Sequence, residues 1–310
     1  MINNKYGWDS PDKEISTNYI NKCISFVEND DLFANFKREP DFQKILEGNE
    51  LDVGEIALQS IDNLGKRDEL LELLPLFKEN EKIGNPKLLF FEGVGEFAPS
   101  TIRYAYSYFQ IKKLLGNTIP KKIVEIGGGY GALCKILSIV FDFQEYTLID
   151  LPEVIELCKK YLSNFKELER KVKFVYAQDV ESLNLSNIDL VIADSSLAEC
   201  NLQTQLLYTK NILNKSKYIY MVYNTLHDPK GMSNFNAVMD VLSNYDGTIE
   251  GTLKDKTSRQ AWNIRVVSLK RKGVDDISPQ LIKNFHKLHL YKLRHIIYTY
   301  KKYLRNLLKK

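Results

Sequence analysis

The sequence predicts an α/β protein built on a doubly wound, mostly parallel sheet with an antiparallel last strand. A helical N-terminal domain precedes the sheet, and a basic amphipathic helix follows it. Three observations carry this. From Lys121 onward, short apolar strand-like runs alternate with helix-length stretches, as parallel strands joined by crossover helices require. Before that point apolar residues recur at three- and four-residue spacing, the helical period. The last two strand-like runs are separated only by a short polar stretch, too little for a crossover helix, so they predict an antiparallel hairpin.

Taken in order, ISTNYINKCISFV and DELLELLPLFKEN carry the helical spacing of the first eighty residues. KIGNPKLLFFEGVGEFAPS, 82–100, is rich in Gly, Pro and aromatics and reads as a structured connector. A helix over Thr101–Leu115 follows, with Ser100 as its expected cap. KKIVEI is then a strand, followed by a helix over 130–140. EYTLID is the next strand, followed by a helix from Pro152, whose missing N–H suits a first helical turn. KVKFVYA and NIDLVIA are strands, with a helix over 197–213 after them. KYIYMVY, a helix over 232–242, and the strands GTIEGTL and AWNIRVVSL complete the alternation. The expected boundaries are 1–95 for the helical domain and connector, 96–272 for the sheet domain, and 273–310 for the tail.

Bulk properties exclude several classes. With 310 residues and 44% hydrophobic content, the chain has enough apolar material for a large core. No apolar run approaches the roughly 18 residues of a spanning helix. MINNKYGWDS lacks the basic-then-apolar pattern of a secretory signal. Cys23, Cys134, Cys158 and Cys200 are far apart without metal-ligand spacing, which suits a reducing, cytoplasmic compartment.

The chemistry concentrates in VEIGGGYGALCKIL, 124–137, where a strand ends in four glycines within five residues and turns into a helix. In a doubly wound sheet a ligand lies beyond the strand ends where the strand order reverses. Gly127, Gly129 and Ala132 satisfy the loose dinucleotide pattern, so a nicotinamide enzyme is one reading. Glu125 inside the strand, followed by Gly127, Gly129 and Gly131, is instead the spacing typical of S-adenosylmethionine-dependent methyltransferases. A dinucleotide offers a pyrophosphate, for which backbone N–H groups and a helix dipole suffice. S-adenosylmethionine carries an ammonium and a sulfonium, for which a nearby carboxylate is useful. Asp150, ending EYTLID, would accept ribose hydroxyls in either reading, with Leu151 beside it as a further cofactor contact. Asp179, after the third strand, is placed for the adenine edge or, equally, for a turn cap. The methyl donor is favoured over the dinucleotide; a catalytically inert nucleoside-binding relative stays open.

Beyond the glycine turn, roughly Gly84 to Leu213 resembles the sugar O-methyltransferase family of bacterial surface-polysaccharide gene clusters. The resemblance rests on Gly84-Asn85-Pro86, on Pro99-Ser100-Thr101-Ile102-Arg103-Tyr104, and on the glycine turn. It continues through Ile149-Asp150-Leu151-Pro152 and Asp189-Leu190-Val191-Ile192. It implies a Rossmann-like class I methyltransferase sheet and an acceptor hydroxyl on a sugar, nucleotide-sugar or glycan. A non-sugar small-molecule acceptor is the alternative. Where the family carries a segment like SNYAFSE, this chain has ADSSLAECN, 193–201, so Glu199 is kept and the aromatic is replaced by Ser195 or Ser196.

Methyl transfer needs alignment of donor and hydroxyl and removal of one proton. His227, in YNTLHDPKG after the fifth strand, is the histidine outside the tail and the first candidate base; Asp194 and Glu199 are the others. A divalent metal on Asp194, Glu199 and Asp228 is the less favoured arrangement, since no clustered ligand pattern supports it. Arg103 and Tyr104 are candidate acceptor contacts, Arg103 alternatively pairing with the acidic N-terminal region.

The stretch 283–310 holds nine Lys/Arg and no Asp/Glu, more than the whole chain's formal charge of +3, so the remainder is acidic. At 100° per residue its apolar and basic side chains fall on opposite faces. This favours an anionic membrane surface, met from the cytoplasmic side through a 281–310 helix, over nucleic acid. Docking on the body or on a second subunit of a homodimer is the other reading.

Overall fold

The computed structural model describes residues 13–43, Leu46, 51–224, 233–251 and 264–274. The N-terminal region holds α1 (Lys13–Glu28), α2 (Asp30–Phe33), α3 (Pro40–Phe42), α4 (Leu51–Asn63) and α5 (Arg67–Phe77). A two-stranded ribbon, β1 (Leu89–Phe91) and β2 (Gly95–Phe97), leads into α6 (Pro99–Leu115). The alternating part follows as β3 (Lys122–Ile126), α7 (Ala132–Val140), β4 (Glu145–Asp150), α8 (Pro152–Leu162), β5 (Val172–Tyr176) and β6 (Ile188–Asp194). It ends with α9 (Leu202–Asn211), β7 (Ser216–Asn224), α10 (Ser233–Val241), β8 (Tyr245–Gly251) and β9 (Ile264–Arg271).

The seven-stranded sheet runs β5-β4-β3-β6-β7-β9-β8. The first five strands are parallel; β9 is antiparallel to both β7 and β8. The predicted terminal hairpin is therefore present, with β9 inserted between β8 and the parallel strands. Parallel strands are covered on both faces, which explains their unbroken apolar runs. Ile123, Val124, Leu190, Val191, Ile192 and Ile219 are all buried. Strand order reverses at β3, flanked by β4 and β6, so the crevice beyond β3 opens at the glycine turn.

Two local expectations need correction. The sixth helix begins at Pro99, and Ser100 is buried inside its first turn. Ala98 occupies the start, its carbonyl accepting the N–H groups of Thr101 and Ile102 at 3.0 and 3.4 Å. The helix expected over 197–213 is divided: a 3₁₀ turn at Leu197–Glu199 precedes α9, because the Asn201 side chain accepts the Thr204 N–H at 2.9 Å and starts a new helix.

The N-terminal helices pack directly on the alternating part: α1 on α8, α4 on α6, and α5 on α6 and α7. The described residues within 13–115 and 119–272 make one compact unit. The boundary drawn at 95/96 falls inside it, within the β1–β2 ribbon. The tail from 275 onward lies outside the described residues.

Gly131 opens α7 with φ +93°, and a Cβ there would lie 2.8 Å from Cys158 Sγ and 3.0 Å from Leu162 on α8. Gly131→Ala combines left-handed strain with overpacking. It is expected to cost about 2–4 kcal/mol in urea unfolding. A change below about 0.5 kcal/mol would mean that α8 yields freely.

Candidate active site

The glycine turn is held by its neighbours' backbone: the Gly127 N–H donates to the Ile149 carbonyl at 2.8 Å, and the Gly131 N–H to that of Gly128 at 3.0 Å. Some of its glycines answer to the protein's own packing. A Cβ at Gly127 would lie 2.1 Å from Ser196 Cβ, and Gly131 is closed off by α8. Gly129 differs. Its φ is +54°, and a Cβ there would meet the Leu46 side chain at 3.3 Å. The Leu46 carbonyl in turn accepts a hydrogen bond from Arg103 Nη2 at 3.3 Å.

Asp150 ends β4 against this turn. Its Oδ2 accepts the Gly129 N–H at 3.0 Å, and its Oδ1 the Leu151 N–H at 2.8 Å. Each oxygen keeps lone-pair capacity after its backbone bond, the arrangement a vicinal ribose diol requires. Burial pushes this carboxyl up to about 6, against the pull of the Leu151 and Gly129 amides. Leu151 also begins α8, ahead of Pro152. The turn, Asp150 and Leu151 therefore fit an adenosyl group.

Glu125 is placed differently from a surface carboxylate. It is 2% exposed, and its Oε2 accepts the Tyr146 hydroxyl at 2.8 Å. That oxygen lies 3.3 Å from where a Gly128 Cβ would be, so the carboxyl sits beneath the turn. Burial pushes it up to about 8; the Tyr146 bond and Arg103 oppose this, while Asp194 and Asp150 add to it. At neutral pH Glu125 thus carries a proton, and it acts on the crevice through the turn it supports.

Asp194 ends β6 on the other side of β3. It accepts the Ser107 hydroxyl at 2.8 Å and the Ser195 hydroxyl at 3.1 Å, and pairs with Arg103 at 3.5 Å. The guanidinium of Arg103 stacks 4.4 Å from the Tyr104 ring centroid. Arg103 thus meets an acid from strand β6 as well as the Leu46 carbonyl of the N-terminal region. Ser107 is itself approached by the Tyr220 hydroxyl at 3.4 Å. Ser195 has φ +65°, a left-handed conformation uncommon outside glycine, next to this carboxylate.

Glu199 lies half-buried in the 3₁₀ turn after β6, and Asp179 is exposed in the turn after β5, next to β4. His227 and Asp228 lie outside the described residues. Among the described residues no group of three or more His, Cys, Asp or Glu is arranged to hold a metal ion. Sequence reasoning missed Ser107, Tyr146 and Tyr220. Ser107 follows Arg103 by four residues on α6, a same-face spacing that could have shown it; Tyr146 and Tyr220 had no local signal.

Residues 90–213 match the family model of the O-methyltransferase domain, a stretch that includes α6, the glycine turn, Asp150 and Asp194. The match assigns residues 90–213 to an S-adenosylmethionine-dependent O-methyltransferase domain. No curated protein matches it. Among solved structures, the methyltransferase resembles the methyltransferase domain of bacterial CtHen1, with 12% identity, a TM-score of 0.43, and 54% of this chain and 99% of that one covered. It resembles the N-methyltransferase NodS from Bradyrhizobium japonicum, solved with S-adenosylhomocysteine, at 12% identity and a TM-score of 0.42, covering 56% and 88%. It also resembles the mitomycin 7-O-methyltransferase MmcR at 16% identity and a TM-score of 0.39, covering 56% and 55%. Likenesses this distant bear on neither acceptor nor mechanism.

Proposed function

We propose that this methyltransferase acts on a sugar hydroxyl, carried by a nucleotide-sugar or a growing glycan, in surface-polysaccharide biosynthesis. The observation that supports this is the position of Pro99-Ser100-Thr101-Ile102-Arg103-Tyr104, the stretch most specific to the sugar-methylating family. It forms the first turns of α6, whose Arg103 and Ser107 reach Asp194 at the carboxyl end of β6. That position supports reading the upstream motif as part of the acceptor edge of the crevice.

The cofactor, when bound, supplies a methyl group already activated on a sulfonium. The chain's own work is then alignment and proton removal. Asp150, Leu151 and the Gly127–Gly131 turn hold the nucleoside end. Asp194 is committed to Arg103, Ser107 and Ser195, which makes it an anchor for the acceptor pocket more than a free base. His227 takes the acceptor proton, with Glu199 the next candidate. His227→Gln is expected to lower turnover by about 10²–10⁴-fold while S-adenosylhomocysteine affinity stays at the wild-type value. Near wild-type turnover in that variant, with a crippled Glu199→Gln, would assign the base to the acid.

The deciding experiment offers labelled methyl donor with nucleotide-sugars, glycan fragments and small phenols. Label in a sugar fraction supports the proposal; label only in phenols replaces it with the small-molecule reading. No described helix is long and apolar enough to cross a membrane. The basic pattern of 281–310 supports peripheral attachment to an anionic cytoplasmic membrane face. Removing that segment should abolish salt-sensitive sedimentation with anionic vesicles. Dissociation of a dimer instead would assign the segment to a subunit interface.

A further inference from the structure

Lys37 is fully buried, a rare position for a lysine. Its ammonium donates to the Asn80 carbonyl at 2.5 Å and to Asn80 Oδ1 at 3.2 Å. It also lies among three aromatic rings, 4.7 Å from the centroid of Tyr130, 5.1 Å from Tyr161 and 5.7 Å from Phe36. The Tyr161 hydroxyl donates to the same Asn80 Oδ1 at 2.6 Å, and Asn80 Nδ2 donates to Thr101 Oγ1 at 3.3 Å. Glu81, whose Oε1 accepts the Ala98 N–H at 2.8 Å, has its carboxyl pKa raised by burial, with this ammonium acting weakly in the opposite direction.

Two stretches that carried the family resemblance without any chemistry find their place here. The Gly84 carbonyl accepts the Lys37 N–H at 3.0 Å, and the Asn85 carbonyl accepts Arg38 Nε at 2.9 Å. A Cβ at Gly84 would lie 2.3 Å from the Phe36 ring and 2.9 Å from Lys37 Cγ, so only glycine fits beneath this segment. Thr101 supplies the other end of the Asn80 seat. Gly84 and Asn85 thus hold the backbone around Lys37, and Thr101 holds the asparagine that receives its ammonium.

The cage meets the cofactor turn at one residue. Tyr130 stands between Gly129, whose N–H is held by Asp150, and Gly131, which opens α7. Its ring packs edge-on against Phe36 at 5.1 Å and Tyr161 at 4.9 Å, with Phe42 at 6.0 Å and the ammonium as further neighbours. A methionine of similar length would fill the space without the desolvation cost of a buried charge. A cation placed over desolvated ring faces, by contrast, restricts where those rings can sit. We propose that Lys37 is a positioning residue for the cofactor: its caged ammonium fixes Tyr130, and through it the backbone from Gly129 to Gly131 that Asp150 grips from the opposite side. This rests on the S-adenosylmethionine reading of that turn and adds a residue, remote in sequence, on which its geometry depends.

Calorimetry with S-adenosylhomocysteine, paired with thermal melts of the full chain, tests it. Lys37→Met is expected to lose at least about tenfold in affinity while its melting temperature stays within about 3 °C of wild type. Tyr130→Phe keeps the ring and should bind nearly as wild type; Tyr130→Leu should lose affinity as Lys37→Met does. Unchanged affinity in Lys37→Met overturns the proposal. So does an affinity loss that merely follows a collapse in melting temperature. Should Lys37→Met fail to fold, equal affinities in the two Tyr130 variants overturn it alone. A wild-type protein that binds no S-adenosylhomocysteine would overturn the cofactor reading and this proposal together, whereas wild-type binding with an indifferent Lys37→Met removes only the latter.

Discussion

Replacing Asp150 by alanine is expected to weaken S-adenosylhomocysteine binding by about 10²–10³-fold, the loss of two hydrogen bonds to a charged acceptor. The effect is large because Asp150 performs two tasks. It accepts the Gly129 and Leu151 N–H groups, and in the proposed cofactor reading it would offer its remaining lone pairs to the ribose. Alanine therefore also leaves two amides of the turn without their acceptor. The same carboxyl predicts a pH dependence. Burial pushes it up to about 6, so the anion that a diol prefers is present above that value and lost below it. Affinity should be flat near neutrality and fall as pH drops through about 6. Asp150→Asn should bind with intermediate affinity and without that fall. Calorimetric titration across pH checks both; an Asp150→Ala protein with wild-type affinity would falsify the site.

Glu125→Gln is expected to raise stability at alkaline pH and to flatten its pH dependence. Glu125 is buried at 2% exposure and pushed from an ordinary 4.5 up to about 8. Between those values the native state holds a proton that the unfolded chain releases. The stabilisation from the neutral carboxyl is therefore complete below about pH 4.5 and is lost as pH rises through about 8. At roughly 1.4 kcal/mol per pH unit of difference, the loss is on the order of 5 kcal/mol. Glutamine stays neutral throughout and can still accept the Tyr146 hydroxyl. Urea unfolding of both proteins between about pH 5 and 9 should give curves that diverge up to about pH 8 and run parallel above it, glutamine the more stable. Curves parallel over the whole range would show that Glu125 is ionised in the native protein. Subtracting one curve from the other removes Asp150, which titrates in both.

The expected Glu125 behaviour marks how far motif reading reaches. Glu-x-Gly-x-Gly-x-Gly placed an acid at the cofactor turn, and the acid is there, but beneath the backbone and protonated at neutral pH. Its state depends on Tyr146, which stands on the neighbouring strand and is brought alongside only by β3–β4 pairing. Arg103 is a similar case. Its residue type announced an anion partner, yet not which one. Asp194 is 91 positions away and meets it because α6 packs against β7, the strand next to β6.

Local pattern alone determined a good deal of this protein. Hydrophobic alternation located strands β3 to β9 and the helices between them, since the periods of strand and helix are properties of neighbouring residues. The glycine run located a backbone turn that side chains could not occupy, and the strand-ending position of Asp150 placed it beside that turn. Helix capping was less legible: Ser100 and Asn201 have the same capping chemistry, and only the course of the chain made Asn201 a cap and buried Ser100. Tertiary structure decided everything that joins distant segments. It inserted β9 between β7 and β8, because strand order is chosen by packing and leaves no trace in a strand's own sequence. It set Leu46 over Gly129, and it buried Lys37 against Asn80, 43 positions away. A lone lysine reads as solvated, because apart from its neighbour Phe36 the groups that desolvate it are supplied by three other parts of the chain, at Asn80, Tyr130 and Tyr161.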